Sequence, residues 1–199
     1  MEATFSELVK KTEGVQPWRR VFHAANGTVL VLVLMVGVFQ DRTVLVTLGI
    51  LLVILLLMDV FRLAIPEVNL FFFRSFTLLA SPRETARLSS STWYLLAILL
   101  TLILFPRDAA LGGILVLALA DPSASFVGRR WGKKRLGSGT VEGSLVFFAV
   151  AFGALTLWAP WPQALGAAVF TAVVEALPWP IDDNLSVPLA AAGALLLLS

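Results

Sequence analysis

The sequence predicts an all-α fold, a polytopic membrane bundle of about seven transmembrane helices with its N-terminus in the cytosol. Three observations carry this expectation. Of 199 residues, 58% are hydrophobic and 14% are charged, whereas an ordinary soluble domain has about 45–50% and about 25%. Mean hydropathy is +0.89. The apolar residues also fall in long runs separated by short charged segments, the pattern of repeated membrane crossings. The same composition excludes a disordered chain. A single membrane-embedded domain over 1–199 is expected.

Taken in order, residues 1–20 are polar, with Lys10, Lys11, Arg19 and Arg20, and read as a cytosolic lead-in. Spans are expected near 21–39, 44–58, 92–105, 109–120, 144–158, 164–177 and 187–198. Asp41-Arg42, Pro106-Arg107-Asp108 and Pro160-Trp161-Pro162 read as tight turns. The longest loop is 62–91, where Leu70 to Phe73 has the character of an interfacial segment. A second loop, 121–143, is rich in Gly, Arg and Lys, and a third, 178–186, carries Asp182-Asp183-Asn184. Several spans fall short of the roughly 20 residues that cross the hydrocarbon. Tilted or broken helices, or helices extended by charged residues at membrane depth, are the expected remedy.

Charge sets the orientation. With seven alternating spans, 13 of the 15 Lys and Arg fall on the side of the N-terminus. The positive-inside rule makes that side cytosolic. The acids divide the same way, since only Asp41 and Asp108 of 13 Asp and Glu fall opposite. A transporter serves both faces and places polar groups near the midplane, so this partition speaks for an enzyme site facing the cytosol. Net charge is only +2, which does not point to nucleic acid. There is no Cys and one His, so thiolate and histidine-rich metal sites are excluded. Any metal must sit on oxygen ligands, which favours Mg²⁺, Mn²⁺ or Ca²⁺. The oligomeric state is left open. The small size leans towards a prokaryotic cytoplasmic membrane.

Five constellations carry candidate chemistry. Asp121-Pro122 closes an apolar run, and Arg129, Arg130, Lys133, Lys134 and Arg135 follow within 14 positions. An acid for a divalent cation, glycines for close approach and a basic cluster are what a metal-bound triphosphate needs. A loop that binds anionic headgroups is the plainer reading. Glu142, in Thr140-Val141-Glu142-Gly143-Ser144, is a metal ligand or a first-turn acid, with Thr140 or Ser144 as helix cap. Glu175 with Asp182, Asp183 and the Asn184 amide suggests cation coordination or partners for the basic loop, although a solvated turn also accounts for Asp182 and Asp183. Asp59 and Arg62 stand one helical turn apart, as an ion pair or as site residues. His23 is an interfacial packing residue, or it meets Arg20 on one helical face to hold a phosphate, and Glu84 and Arg87 raise the same choice.

Together these residues resemble the dolichol kinase and phytol kinase family, with CTP-dependent diacylglycerol kinases as relatives and phosphatidate cytidylyltransferases more distant. The resemblance is carried by Asp121-Pro-x-Ala124-x-x-x-Gly128-x-x-x-Gly132-Lys133-Lys134 and Thr140-x-Glu142-Gly143-Ser144. It extends to Arg19-Arg20-x-x-His23-x-x-x-Gly27, Asp59-x-x-Arg62, Arg83-Glu84-x-x-Arg87 and Glu175 with Asp182-Asp183-Asn184-Leu185. Gly139 stands where the family often has Lys. The resemblance implies a CTP-dependent kinase of a membrane lipid alcohol, of polyprenol, phytol or diacylglycerol type. It implies Mg²⁺ on Asp121 with one or more of Glu142, Glu175, Asp182 and Asp183. Arg129, Arg130, Lys133 and Lys134 would clamp the triphosphate, helped by Arg20, His23, Arg62, Arg87 and Ser144. Asp121 is the first choice for the base that takes the hydroxyl proton, and Asp59 the second. A cytidylyltransferase acting on a phospholipid is the alternative, and a transporter or adaptor the third reading.

Overall fold

The computed structural model describes residues 4–14, 16–178 and 181–198. The first three residues of the polar lead-in lie outside the described residues. The chain is helical almost throughout. It forms α1 (Phe5–Lys11), α2 (Pro17–Val36), α3 (Asp41–Ala64), α4 (Pro66–Ser75), a 3-10 turn (Pro82–Thr85), α5 (Ser90–Leu104) and α6 (Arg107–Trp131). A two-stranded antiparallel hairpin, β1 (Arg135–Leu136) and β2 (Gly139–Thr140), precedes α7 (Val141–Leu155), α8 (Trp161–Ala176) and α9 (Asp183–Leu198).

Three helices, α2, α3 and α6, are long and apolar enough to cross a membrane; α5, α7 and α9 are shorter apolar helices. The outer face of α3 is apolar and bare, with Val46, Ile50, Val53, Ile54 and Leu57 all about half exposed. In water such a face would be a large liability. In hydrocarbon it is an ordinary surface, and the chain is a membrane protein.

The middle of the bundle is α6. From Ala109 to Ala118 its residues are buried on every side. It packs on α2, α7 and α9, while α8 closes against α7 and α9. Small residues permit this. A Cβ on Gly113 would lie 2.5 Å from the Pro188 carbonyl and 3.1 Å from the Ala192 Cβ. A Cβ on Gly27 would lie 2.6 Å from the Ala118 Cβ and would also strike the Tyr94 hydroxyl. Close backbone approach through small residues is how helices associate where lipid removes the hydrophobic drive.

The structure corrects several expected boundaries. The helix expected at 109–120 does not stop at Asp121-Pro122 but runs on to Trp131. Pro122 has no N–H to offer the carbonyl one turn earlier, yet losing one bond does not break a helix that neighbours hold on both sides. Half of the expected 121–143 loop is therefore helix. Likewise α3 continues through Asp59 and Arg62 to Ala64, and the 62–91 loop contains α4 and the 3-10 turn. Within α4, Phe73 is fully buried with Leu8 and Ala80 rather than interfacial, while Phe71 is exposed. Asp41, Arg107 and Trp161, expected in turns, begin helices, and α9 starts at Asp183, four residues early.

Asp59 and Arg62 organise the 62–91 segment. Both are 2% exposed. Arg62 Nε donates to Asp59 Oδ1 at 2.6 Å, and the two terminal nitrogens donate to the carbonyls of Glu84 and Arg87, each at 2.5 Å. One of them also reaches Asn69 Oδ1 at 3.3 Å, and the guanidinium lies over the Phe72 ring at 4.6 Å. Asp59 Oδ2 accepts from the Ser89 amide at 2.8 Å and the Thr92 hydroxyl at 2.6 Å. A buried ion pair this well satisfied holds its geometry, and removing one partner strands the other. Arg62→Met should lower stability by about 3–5 kcal/mol, read as a fall in apparent melting temperature of the detergent-solubilised protein. Asp59→Leu combined with Arg62→Met should recover part of that loss.

Candidate functional site

The charged residues gather at one end of the bundle. The opposite end carries an exposed pair, in which Arg107 clasps both oxygens of Asp41 at 2.5 and 2.7 Å. Along α6, Asp121 lies 14 residues beyond Arg107, a rise of about 21 Å. That is less than the roughly 30 Å of hydrocarbon, so Asp121 sits at the floor of a depression rather than on an outer rim.

The depression is a cavity of about 620 Å³. Its walls are the start of α2, the segment around the 3-10 turn, the second half of α6, the hairpin, the end of α8 and the start of α9. Arginines enter mainly from α2, the 3-10 segment and late α6: Arg19, Arg20, Arg83, Arg87 and Arg129, with Arg135 from the hairpin. Carboxylates enter chiefly from the other side: Asp121 on α6, Glu175 on α8, and Asp182 and Asp183 at α9. Glu84 and His23 complete the ionisable lining.

Several donors have no protein partner. Arg20 gives one terminal nitrogen to Ser125 Oγ at 2.7 Å, but its Nε and other terminal nitrogen are buried and unpaired. Buried donors without acceptors are costly, and an anion is what answers them. Arg129 donates to the Gly14 carbonyl at 2.7 Å, tying late α6 to the chain before α2. Arg19 binds Gln16 Oε1 at 3.0 Å and the Ser90 hydroxyl, 3.9 Å from Glu84.

The carboxylates are similarly underused. Among the described residues, Asp121, Glu175, Asp182 and Asp183 form no ion pair closer than 4.0 Å. Asp121 feels Asp183, Glu175 and Asp182 as like charges. Glu175 accepts only a long bond, 3.3 Å, from Ser144 Oγ. Asp182 Oδ1 takes the amide and side-chain nitrogens of Asn184, at 3.1 and 2.7 Å, and so shapes the start of α9. Uncompensated acids around one cavity fit a divalent cation. Among the described residues no three acids or histidines are close enough to cage one alone. Mg²⁺ commonly takes one or two carboxylates and completes its shell with water and phosphate oxygens, so this donor set fits a cation that arrives with its nucleotide.

Backbone details fix these groups. Ser138, in the hairpin turn, donates its amide to the Ala176 carbonyl at 3.1 Å and its hydroxyl to the Glu175 carbonyl at 2.9 Å. This caps α8 just where Glu175 projects. Gly137, at φ +52°, makes the turn possible and lies against the Ala176 carbonyl, leaving no room for a Cβ. The glycines expected to admit phosphate chiefly make room for Thr140. A Cβ on Gly128 would lie 2.9 Å from its hydroxyl, and one on Gly132 2.6 Å from its methyl. Thr140 in turn caps α7, accepting the Gly143 amide at 3.1 Å.

Of the residues expected from sequence, the cavity brings together Arg20, His23, Arg87, Asp121, Arg129, Glu175, Asp182 and Asp183. It is not lined by Arg62, Arg130, Lys133, Lys134, Glu142 or Ser144. Glu142 accepts from the Lys133 amide at 3.1 Å, which holds the turn before the hairpin. Arg62 and Asp59 are engaged with each other, and Asp59 faces a separate groove. Glu84, Arg135 and Asn184 also line the cavity, each a member of a group that the sequence already offers as a candidate. Arg19 and Arg83 line it too, and their sequence signal is only a charge beside an assigned neighbour.

No family model and no solved structure matches the chain. Curated proteins do. Over 143 residues the chain is 27% identical to "CTP-dependent diacylglycerol kinase 1" of Saccharomyces cerevisiae, covering 70% of this chain and 48% of that one. It is 28% identical over 161 residues to the Schizosaccharomyces pombe protein of the same name, covering 70% and 74%. It is 34% identical over 120 residues to "Probable phytol kinase, chloroplastic" of Triticum aestivum, covering 49% and 40%. The chain thus spans about half the length of the Saccharomyces relative and less than half of the wheat one. The proteins it is related to in sequence are CTP-dependent diacylglycerol kinases and a phytol kinase, as its motifs imply.

Proposed function

We propose that this chain is a CTP-dependent lipid kinase that moves the γ-phosphate of CTP to the hydroxyl of a membrane lipid alcohol. The observation that carries the reading is the cavity itself, in which, among the described residues, buried Arg20 donors without partners share a cavity with carboxylates that form no ion pair. Such a pair of walls suits a polyphosphate on one side and its cation on the other. The relatives' names supply the nucleotide and the acceptor class. A single catalytic domain with seven crossings and a cytosolic N-terminus accompanies this reading, supported by the 13 Lys and Arg on the cavity side.

In this reaction the lipid oxygen bonds to the γ-phosphorus, the bond from that phosphorus to the bridging oxygen breaks, and CDP leaves. The hydroxyl proton passes to a carboxylate, for which Asp121 is best placed. Arg20 and Arg129 bind the phosphates from α2 and late α6 respectively, with Arg87 from the 3-10 side. Asp121, with Asp183, Glu175 and Asp182 beside it, would hold Mg²⁺. Such an ion would supply positive charge against the charge that develops on the phosphate oxygens. Glu142 and the Arg130, Lys133 and Lys134 cluster act on the rim, through the turn that Glu142 fixes.

The reading is tested with purified protein in liposomes, given γ-labelled CTP or ATP, Mg²⁺, and phytol, a polyprenol, diacylglycerol or phosphatidate. Label should pass from CTP to a lipid alcohol. Pyrophosphate release with phosphatidate, and no γ-label in lipid, would make the chain a cytidylyltransferase instead. Asp121→Asn should cut turnover by about 10²-fold or more with little change in melting temperature. Arg20→Gln should raise KM for CTP by about 10-fold or more, the cost of losing charge-assisted bonds, and leave KM for the lipid unchanged.

A further inference from the structure

A second cavity lies beside the first, and resting on the kinase reading we propose that it seats the acceptor: a neutral lipid alcohol with its chain between α2 and α3 and its hydroxyl at His23 and Glu84. The helices α2 and α3 are consecutive, yet they part company. The first packs on α6, the second on α5 and α4. The gap between them is a groove of about 420 Å³. Leu30 of α2, Leu48, Leu51 and Leu55 of α3, and Leu95 and Ile98 of α5 form its body. Leu51 and Ile54 are about half exposed on the surface where lipid chains lie, so the groove opens sideways to the bilayer.

The two cavities share His23 and Glu84 in their walls. Glu84 Oε1 is held by the Ser90 amide and hydroxyl, at 3.0 and 2.7 Å. His23 is fixed as well. Tyr94 donates its hydroxyl to the His23 carbonyl at 2.8 Å, and the two rings lie 4.6 Å apart. The His23 Nδ1, however, is buried without a hydrogen-bond partner. An apolar channel that ends at an unpartnered imidazole, next to a polyphosphate-binding cavity, is built for a long chain with a hydrogen-bonding head.

Charge says which head. Among the described residues the groove is lined by no Lys or Arg, and its ionisable groups are His23, Tyr94, Asp59 and Glu84. Both oxygens of Asp59 are already occupied. A lipid phosphate placed there would find no free cation, because Arg62 is committed to Asp59 and Arg19 lies by Glu84, while a hydroxyl needs none. The groove therefore suits the alcohol and disfavours the phosphorylated product or an anionic phospholipid.

Binding can be read without turnover. The full chain is placed in phosphatidylcholine nanodiscs with a diacylglycerol carrying a diazirine near one acyl terminus, without nucleotide, and adducts are mapped by mass spectrometry. Adducts should fall on the α2, α3 and α5 faces of the groove and be competed by dioleoylglycerol but not by phosphatidate. Adducts spread over the outer surface without competition, or competed equally by phosphatidate, would overturn the proposal. In the transfer assay, Leu51→Trp and His23→Gln should each raise KM for the lipid about tenfold and leave KM for CTP within about twofold. A rise in the CTP constant alone for His23→Gln would assign His23 to phosphate and overturn the threshold. A wild-type chain that labels no lipid alcohol would end the kinase reading, while the adduct map would still decide the groove.

Discussion

A buried guanidinium has five donors and no water to satisfy them, and in this chain that constraint shapes the site. Arg62 spends its donors on Asp59, Asn69 and the carbonyls of Glu84 and Arg87. Those two carbonyls belong to the segment that carries Arg83, Glu84 and Arg87 into the cavity. Asp59 completes the hold by accepting the Ser89 amide, which caps the approach to α5. One ion pair thus fixes the wall that both cavities share. This explains why two residues that touch no part of the polar cavity are its strongest structural support. It also removes Asp59 as a convenient base, because neither of its oxygens is free.

The second constraint is depth. A carboxylate inside hydrocarbon is expensive, and the continuation of α6 past Pro122 sets Asp121 in the wall of the polar cavity instead. The helix can continue because Gly128, Gly132 and Gly143 let α6 and the start of α7 cross closely over Thr140. The hairpin and the capped end of α8 then bring Glu175 to the same cavity, and the turn at Asp182 brings Asp183. The small residues of the signature segment are thus architectural first. They set the floor and walls on which the charged groups stand.

The all-helical architecture was legible because hydrophobic runs and charged breaks alternate so plainly, and each expected span falls on a helix, although α6 runs eleven residues past its expected end. What misled was the equation of charge with loop. Asp59, Asp121 and Asp183 all lie inside helices, since their charges face a cavity or a partner that sequence cannot display. The same blindness divided the site. Arg20, Asp121 and Glu175 were visible as isolated charges in apolar surroundings. Arg130, Lys133 and Lys134 attracted attention as a dense cluster, yet the fold turns them to the rim. Glu84 is legible only as a choice between a surface charge and a site residue, because its partner, Ser90, and the two cavities it separates exist only in three dimensions.

Both cavities also bear on how a membrane enzyme could keep substrate and product apart. Among the described residues the polar cavity carries six arginines, whereas the apolar groove carries none, and its two carboxylates already lie by Arg62 and Arg19. Moving one phosphoryl group onto a lipid hydroxyl at their boundary would convert a head that the groove tolerates into one for which it has no free cation. The mismatch would arise only after transfer, since a neutral alcohol needs no counter-charge. Chemistry itself would then supply the differential affinity that any directional change of position requires, with no moving lid. In the proposed reaction the fixed wall of His23 and Glu84, held by Arg62 behind it, would serve at once as the place where the acceptor waits and the reason the product leaves.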